Sequence, residues 1–294
     1  MKVCNFGSLN IDLVYAVDHA VLPGETLSST KREEFCGGKG LNQSIALARA
    51  GATVYHAGCV GADGGMLRAL LQENGVDVRC VRELSGASGH AVIQVDGNGQ
   101  NSILLYGGTN RRITEEMVTE VLAQFEPGDY LVLQNEINAL PFLMQTAKER
   151  GLKVIFNPSP FEDAVLEYPL DAVAWFVVNE IEGAAIAGVE EPREILARLT
   201  AKYPSAGVVL TLGQRGSLCC VDGQVLEQPI FPVVAKDTTA AGDTFLGYFF
   251  ALLEEYGPKA ALRMASAASA MSVTVDGAAN SIPTLAAVKE FLGE

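Results

Sequence analysis

Residues 130–157 read YLVLQNEINALPFLMQTAKERGLKVIFN and contain one strand–helix–strand unit. An apolar run at 130–133 is followed by apolar residues at helical spacing over 140–150 and by a second apolar run at 153–156. Short runs that are apolar throughout are typical of strands buried on both faces, and parallel strands need a long crossover, usually a helix, between them. The unit therefore predicts a parallel sheet that is covered on both sides.

The same alternation continues along the chain in both directions. We predict strands at 3–7, 53–60, 175–178, 207–212 and 230–234, and helices around 67–71 and at 115–125, 180–187, 192–203 and 242–272. The pattern predicts an α/β fold, with a doubly wound, mainly parallel sheet and helices on both faces. No linker or repeat divides the 294 residues, so we expect a single domain over 1–294.

Two strand-rich segments, at about residues 10–36 and 88–107, do not follow this alternation. The second contains the turn signal Asp96-Gly97-Asn98-Gly99 between two apolar stretches, which predicts a hairpin. We expect the two segments to pair as a small β-sheet that projects from the main domain as a lid.

Composition and charge exclude several classes of protein. Hydrophobic residues make up 49% of the chain, enough for a sizeable core, which excludes wholesale disorder. The 21 Lys and Arg residues against 35 Asp and Glu residues give a formal charge of −14. We therefore expect no binding along a nucleic acid or to an anionic membrane, and a small anionic ligand would need a locally positive site.

The sequence predicts neither a membrane span nor export. No apolar stretch reaches the roughly 18 residues of a spanning helix, and residues 1–8 lack the apolar centre of a signal peptide. The six cysteines form no C-x-x-C pair, and the three histidines match no zinc spacing. We expect free thiols in a reducing cytoplasm.

Two common nucleotide-binding motifs are absent. The first strand is followed by residues 7–12, Gly-Ser-Leu-Asn-Ile-Asp, instead of G-x-G-x-x-G, and residues 38–40 do not complete a P-loop. An NAD-dependent oxidoreductase keeps only the α/β pattern in its favour. Because ligands of open α/β sheets bind beyond the carboxyl ends of the strands, polar residues that follow strands are the candidates for a site.

Two polar segments stand near the start of the chain. Asn10 and Asp12 come directly after the first strand, on one side of an extended chain, where they can converge on a hydroxylated ligand. A turn with local backbone bonds is the alternative. Residues 37–44, Gly-Gly-Lys-Gly-Leu-Asn-Gln-Ser, open a helix whose glycines allow close approach of a ligand and whose first N–H groups are free. Lys39 and Asn42 share a face of its first turn, and a plain glycine-rich helix start is the alternative.

A third polar segment, residues 237–245, reads Asp-Thr-Thr-Ala-Ala-Gly-Asp-Thr-Phe and joins the strand at 230–234 to an apolar helix. Its small residues leave room against the backbone, and the N–H groups of Ala241, Gly242 and Asp243 would form an anion hole. Asp243 would lie beside the anion, where a base for phosphoryl transfer to an alcohol is needed. A carboxylate is also a favourable helix-start residue, but that role needs no small residues before it.

Residues 237–245 resemble the C-terminal signature of the ribokinase-like (PfkB-type) carbohydrate kinases, and residues 37–43 resemble the N-terminal one. The resemblance runs from Val3 to about Pro283, and the two signatures stand in order about two hundred residues apart. The resemblance implies ATP-dependent phosphorylation of a sugar, and within the family it best fits D-ribose phosphorylated at its 5-hydroxyl. It also implies a homodimer that pairs through the lid. The alternatives are another sugar or nucleoside kinase of the family (fructose, deoxyribose or a nucleoside) and a non-catalytic sugar-sensing protein.

The resemblance also implies which residues form the site. Asp243 is the base, with Ala241 and Gly242 in the anion hole. The sugar contacts fall on Asn10, Asp12, Gly38, Lys39, Asn42, Glu136 and Asp243. The ATP contacts fall on Asn179, Thr211, Gly213, Gly216, Gly242 and Ser266. Two ions are implied, Mg²⁺ with indirect help from Glu182, and K⁺ with ligands on Asp237, Thr239, Ser272, Val275, Gly277 and Ser281.

Overall fold

The structure is a computed structural model and describes residues 2–294. The strands are β1 Lys2–Phe6, β2 Asn10–Ala16, β3 Lys31–Gly37, β4 Thr53–Val60, β5 Asp77–Glu83, β6 Gly89–Val95, β7 Asn101–Tyr106, β8 Tyr130–Gln134, β9 Lys153–Asn157, β10 Val173–Asn179, β11 Gly207–Thr211, β12 Ser217–Val221 and β13 Gln224–Gln228. The α-helices are α1 Lys39–Arg49, α2 Gly65–Glu73, α3 Glu115–Leu122, α4 Leu140–Glu149, α5 Glu180–Ala187, α6 Pro192–Lys202, α7 Ala241–Ser272 and α8 Leu285–Leu292.

Nine strands form the main sheet, in the order β13-β12-β11-β10-β9-β8-β1-β4-β5. All neighbours from β11 to β5 are parallel, and β12 and β13 pair antiparallel at one edge. Apolar side chains pack on both faces of this sheet in two separate clusters. The predicted α/β fold class is thereby confirmed, because strands buried on both faces have to be apolar throughout.

The edge hairpin β12–β13, the strand β5 and the helix α8 are not among the sequence predictions. The hairpin turns at Asp222 and Gly223, which have φ values of 50° and 74°. Two positive φ values in a two-residue turn match the right-handed twist of the paired strands, and Asp-Gly is a common sequence for such a turn. The signal for this hairpin was therefore present in the sequence.

The predicted strand at 230–234 is wrong, because these residues have no regular secondary structure. Pro229 and Pro232 stand beside and within the segment, and proline has no N–H group to donate to a neighbouring strand. The segment runs instead along the wall of a cavity of about 530 Å³, to which it contributes Ile230, Phe231, Pro232 and Val233.

A second sheet of four strands, in the order β3-β2-β6-β7, confirms that the segments near 10–36 and 88–107 pair with each other. β2 and β6 are parallel in its centre, and the outer pairs are antiparallel. All six residues of β7 are exposed, among them Ile103, Leu104 and Leu105, each with more than half of its surface accessible. This sheet therefore presents an apolar edge strand to solvent.

Two glycine contacts bring the helices of the site together. Gly40 lies so close to the backbone after β1 that a Cβ there would be 2.5 Å from the carbonyl carbon of Gly7. Gly247 in α7 faces α1 in the same way, since its Cβ would lie 2.7 Å from the nitrogen of Leu47. α1 is therefore packed against the chain after β1 at its start and against α7 near its end.

The strand order changes direction at β1, which pairs with β4 on one side and β8 on the other. In open α/β sheets such a switch point opens a crevice at the carboxyl ends of the strands. The segments that leave β1 and β8 carry Ser8, Asn10 and Glu136, and α1 begins between them. In the described part of the chain, no helix has the length and apolar character needed to cross a membrane.

Candidate active site

The Glu136 carboxylate lies at the start of α1. Its Oε2 accepts a hydrogen bond of 3.0 Å from the N–H of Lys39 and another from the hydroxyl of Ser8. Ser8 in turn accepts from the N–H of Gly40 at 3.2 Å. A negative charge at a helix N-terminus is stabilised by the helix dipole and by the free N–H groups. The structure therefore places Glu136 beside Gly38 and Lys39, with which the sequence analysis grouped it.

Asn10 and Asp12 lie on the neighbouring strand β2. The Oδ1 of Asn10 accepts a hydrogen bond of 2.7 Å from Asn110, whose side chain also bonds the backbone N–H and carbonyl of Leu9. Burial raises the pKa of Asp12 to about 7, and the negative charge of Glu136 adds to that rise. Asp12 and Glu136 are thus close enough to repel each other, so this side of the site favours hydroxyl donors.

The carboxylate of Asp243 meets the second turn of α1. Its Oδ1 accepts a hydrogen bond of 2.8 Å from Gln43, and its Oδ2 accepts one of 3.2 Å from Asn42. The Oδ1 of Asn42 is buried and has no hydrogen-bond partner within residues 2–294. A buried acceptor without a partner is costly. Asn42 is therefore ready to accept a hydroxyl proton from a ligand beside Asp243.

A cavity of about 200 Å³ opens at the start of α7 and is lined by Asp243, Gly242, Lys39 and Glu182 among others. Burial alone would lower the pKa of Lys39, but the carboxylates of Asp243, Glu136 and Glu182 outweigh that effect and raise it. The ammonium group is therefore charged and can face an anion. Lys39 joins Glu136, which bonds its backbone N–H, to this cavity.

The predicted anion hole provides two free donors. The N–H of Ala241 donates to the carbonyl of Thr238 at 3.3 Å, whereas the N–H groups of Gly242 and Asp243 have no backbone acceptor in the described chain. First-turn N–H groups have no partner within their own helix. A Cβ added to Gly242 would meet no protein atom within 4 Å, so there is open space at this position.

A larger cavity of about 530 Å³ adjoins the first and shares Thr211, Thr238, Ala241 and Gly242 with it. It contains four predicted nucleotide contacts besides Gly242, namely Thr211, Gly213, Gly216 and Ser266. The apolar side of the cavity is formed by Ile230, Phe231 and Val233. Its size falls within the range of pockets that hold drug-sized ligands.

Asn179 and Glu182 border the smaller cavity and form a capping box at the start of α5. The N–H of Glu182 donates to Asn179 Oδ1 at 2.9 Å, and Glu182 Oε2 accepts from the N–H of Asn179 at 3.0 Å. Burial raises the pKa of Glu182, although the hydrogen bond from Asn179 opposes that rise. The two side chains thus have a structural role in addition to any contact with a ligand.

The predicted K⁺ ligands lie on two loops that Asp237 joins. Its carboxylate accepts hydrogen bonds of 2.9 Å from the N–H groups of Thr239 and Gly277. Partial burial would raise the pKa of Asp237, but these hydrogen bonds outweigh it and lower the pKa. The N–H of Val275 donates to the carbonyl of Ser272, and the hydroxyl of Ser281 donates to Ala278. Hydrogen bonds therefore bring together Asp237, Thr239 and Gly277 and do not extend to Ser281.

Sequence reasoning assigned no role to several polar residues that support the site. Asn110 holds Asn10, Ser8 bonds Glu136, and Gln134 contacts Gln43 at 2.7 Å. The strands contained a usable signal, because β1 after its first residue Lys2 and β8 are apolar apart from Asn5 and Gln134 near their carboxyl ends. A polar residue in a doubly covered strand needs a buried partner.

The fold and the site together are those of a carbohydrate kinase, and comparison with known proteins supports this class. A family model described as pfkB family carbohydrate kinase matches residues 1–285. The chain belongs to this family.

Several of the individual relatives are ribokinases. The chain is 37% identical over 296 residues to the ribokinase of Haemophilus influenzae, covering 97% of this chain and 96% of that protein. The crystal structure of the ribokinase from Cryptococcus neoformans in complex with ADP matches 98% of this chain and 99% of that chain, with 34% identity and a TM-score of 0.85. The Arabidopsis thaliana ribokinase complexed with ribose and ATP matches 100% of this chain and 99% of that chain, with 27% identity and a TM-score of 0.83.

Proposed function

We propose that the chain is an ATP-dependent kinase that phosphorylates D-ribose at its 5-hydroxyl. The observation that carries the proposal is the position of Asp243, which accepts a hydrogen bond from Asn42 and also lines the cavity that contains Lys39 and Gly242. A base between a hydroxyl-binding group and a phosphate cradle is what phosphoryl transfer to an alcohol requires. The similarity to ribokinases over nearly the whole chain supports ribose as the acceptor.

The sugar would be held by Asn10, Asp12, Asn42 and Glu136, with the Gly38–Lys39 backbone beside it. Carboxylate and amide oxygens accept from sugar hydroxyls, and the unpartnered Oδ1 of Asn42 supports this role. A site built from such groups discriminates strongly against an analogue that lacks a hydroxyl, since a buried acceptor would then remain unpaired.

In the reaction Asp243 accepts the proton of the attacking hydroxyl, and the sugar oxygen forms the new bond to the γ-phosphorus as ADP leaves. General-base assistance of this kind contributes about 10²–10⁴-fold. The N–H groups of Gly242 and Asp243 stabilise the charge on the transferring group, because they are free and fixed at a helix start. Lys39 adds a positive charge on the same side.

ATP would occupy the larger cavity, with the adenine against Ile230, Phe231 and Val233 and the phosphates toward Gly242. No group of three or more potential metal-ligating side chains occurs among residues 2–294. This fits a Mg²⁺ ion that keeps its waters and is held by the nucleotide phosphates, with Glu182 and Asn179 nearby. Bound there, Mg²⁺ would neutralise phosphate charge.

A potassium ion would be held by oxygen atoms of the two loops that Asp237 joins, on Thr239, Ser272, Val275, Gly277 and Ser281. The carboxylate and carbonyl donors at this place suit a hard cation. Bound there, K⁺ would help to fix the loop that precedes α7 and the anion hole.

The four-stranded sheet would close over the sugar as a lid, so that water is excluded and ATP is not hydrolysed. We also propose a homodimer, supported by the exposed apolar side chains of Ile103, Leu104 and Leu105 on the edge strand β7. The six cysteines are unpaired in residues 2–294, which supports a reducing, cytoplasmic location.

The test is a panel of ribose, deoxyribose, fructose and nucleosides assayed with ATP, for wild type and for Asp243→Asn. Ribose should be the best acceptor, and the variant should lose about 10²–10⁴-fold in turnover while ribose binding, measured calorimetrically, is largely kept. Near-normal turnover of the variant would refute the base assignment. A different preferred acceptor would refute ribose as the substrate.

A further inference from the structure

A chain of buried polar side chains leads from Asp243 into the centre of the main sheet. It runs through Gln43, Gln134, Asn5 and Ser44 to His56, all of which are completely buried. The links are Gln43 to Asp243 at 2.8 Å, Gln134 to Gln43 at 2.7 Å, Gln134 to Asn5 at 2.9 Å, Asn5 to Ser44 at 2.9 Å and Ser44 to His56 at 2.8 Å. A buried polar network destabilises the fold unless its groups are hydrogen-bonded, so the presence of this one calls for a functional explanation.

The hydrogen bonds fix the orientation of the Gln43 amide. Its Oε1 accepts from Gln134, so its NH₂ group has to face Asp243 and Asn157. Gln134 is itself oriented by Asn5, whose NH₂ group is committed to the carbonyl of Gly40 and to Ser44. Gln134 Oε1 and His56 Nε2 already lack a hydrogen-bond partner within residues 2–294, and turning the amide of Gln43, Gln134 or Asn5 would leave further buried donors and acceptors unpaired.

The far end of the chain is neutral. Ser44 accepts from Asn5, so its own proton goes to Nδ1 of His56. Burial lowers the pKa of His56 to about 3, and the ring is therefore uncharged at neutral pH. The chain thus offers Asp243 a fixed donor and supplies neither a charge nor an exchangeable proton.

We propose that Gln43 is a positioning residue that makes Oδ1 of Asp243 a permanent hydrogen-bond acceptor and leaves Oδ2 to take the proton of the sugar hydroxyl. Gln134 acts one step further from the base, because its NH₂ group donates to Gln43 and holds the Gln43 amide in that orientation. The inference rests on the proposed function, since it concerns the base of that reaction. Oδ2 accepts only the longer bond from Asn42 and has a second lone pair for the proton.

The charged groups around the base are few. Lys39 of α1 and Glu182 of α5 line the same cavity, and Glu136 accepts a hydrogen bond from the N–H of Lys39. Among residues 2–294, Asp243 is the only carboxylate to which the buried polar side chains of this network are hydrogen-bonded. Replacing Gln43 by glutamate would set a second carboxylate against Oδ1, and two carboxylates at one site share a proton and titrate at higher pH.

The first experiment compares pH profiles of kcat/KM for wild type, Gln43→Glu and Gln145→Glu. Gln145 bonds Glu149 at 2.8 Å on the exposed face of α4, so its variant creates a pair of like charges away from the site. We expect the acidic limb of Gln43→Glu to move up by about one pH unit or more, and that of Gln145→Glu to stay in place. An unmoved limb for Gln43→Glu overturns the proposal.

The second experiment is a double-mutant cycle with Gln43→Met and Gln134→Met. A base displaced by about 1 Å costs up to about 10²-fold, so we expect kcat of Gln43→Met to fall roughly 10- to 100-fold with the sugar dissociation constant changed less than about twofold. Gln134 contacts neither Asp243 nor the proposed substrate site, but Gln134→Met should also lower kcat, because Gln134 orients the Gln43 amide. The double variant should be no slower than Gln43→Met, because both act through one contact. Effects that multiply would overturn the proposal.

The cycle is run on whichever acceptor of the panel wild type phosphorylates fastest, which keeps the two proposals separate. A preferred acceptor other than ribose refutes the proposed substrate and leaves the cycle informative. Normal kcat in Gln43→Met overturns the positioning role alone. Inactivity of wild type toward the whole panel overturns both.

Discussion

Gly37 controls the position of Asp12, and replacing it by alanine is a sharp test of the sugar side of the site. A Cβ at residue 37 would lie 2.5 Å from Cγ of Asp12 and 2.7 Å from its Oδ1, whereas ordinary contacts begin at 3.4 Å. Gly37 has no positive φ, so alanine adds no backbone strain there. The carboxyl group of Asp12 therefore has to move by at least about 0.9 Å to relieve the overlap at Cγ, and by more at Oδ2, the atom nearest to the added Cβ.

The size of the effect follows from the bond that the displaced carboxylate can no longer form. A hydrogen bond to a charged group contributes about 1.5–3 kcal/mol, and 1.4 kcal/mol corresponds to about tenfold in binding. We expect Gly37→Ala to weaken sugar binding roughly 10- to 100-fold and to leave the KM for ATP unchanged. The nucleotide cavity is formed by other elements, so the substitution should not affect ATP directly. A change in both the sugar affinity and the KM for ATP would indicate a general loss of folding.

The measurement is calorimetric sugar binding together with steady-state kinetics. Gly65→Ala is the matched control, because a Cβ there meets nothing within 4 Å and its φ is not positive. The decisive comparison is made in an Asp12→Ala background, where the clash no longer exists. Gly37→Ala should then have no further effect on binding. A second loss in that background, or unchanged binding in the single variant, would refute the reasoning.

Three further predictions concern stability and the phosphate cradle. Asp12 binds a proton more tightly when folded, with a pKa of about 7 against 3.8, so folding loses stability as pH rises through that window; Asp12→Asn should raise the urea midpoint at pH 8 but not at pH 4. His56 is the reverse, because its pKa falls from 6.5 to about 3. Stability is therefore lost below pH 6.5 by about 1.4 kcal/mol per pH unit, and His56→Asn should flatten that dependence in urea titrations at pH 6.5 and 5. Gly242→Ala should raise the melting temperature slightly, since alanine is favoured in helices by roughly 0.5–1 kcal/mol, yet lower kcat/KM for ATP tenfold or more, because the methyl group fills the open space at the cradle; unchanged kinetics would contradict a phosphate at that place.

The central sheet could be predicted from the sequence because its strands are apolar throughout. The predicted ranges of β4 and α5 coincide with the observed Thr53–Val60 and Glu180–Ala187. The segment at 230–234 is apolar in the same way but forms no strand. Pro229 and Pro232 remove backbone donors, and the segment lines a cavity instead of pairing with a strand, with Ile230 and Val234 exposed. Apolar character alone does not make a strand, because backbone donors and pairing partners also decide it.

The site was predicted in part for a similar reason. Residues that follow strands or open helices, such as Asn10, Lys39 and Asp243, are found by their place in the sequence. Gln43 and Gln134 are not found in this way, because their partners lie 200 and 91 residues away. A carboxamide can donate, accept or do both, and which of these it does is decided by its neighbours in the folded chain. Roles within a buried network are therefore readable only from the structure.

The formal charge of −14 is compatible with a site that binds phosphate, because the negative side chains and the phosphate-binding groups lie at different places in the site. Asp12 and Glu136 concentrate negative charge where a neutral, hydroxyl-rich sugar would bind, and they repel each other until hydroxyl protons satisfy them. The proposed phosphate side would rely on N–H groups of Gly242 and Asp243, whose partial charges add nothing to the net charge. Lys39 is coupled to both sides, because Asp243 and Glu136 both raise its pKa. An anionic sugar analogue would meet two carboxylates, and so should bind far more weakly than ribose in this pocket.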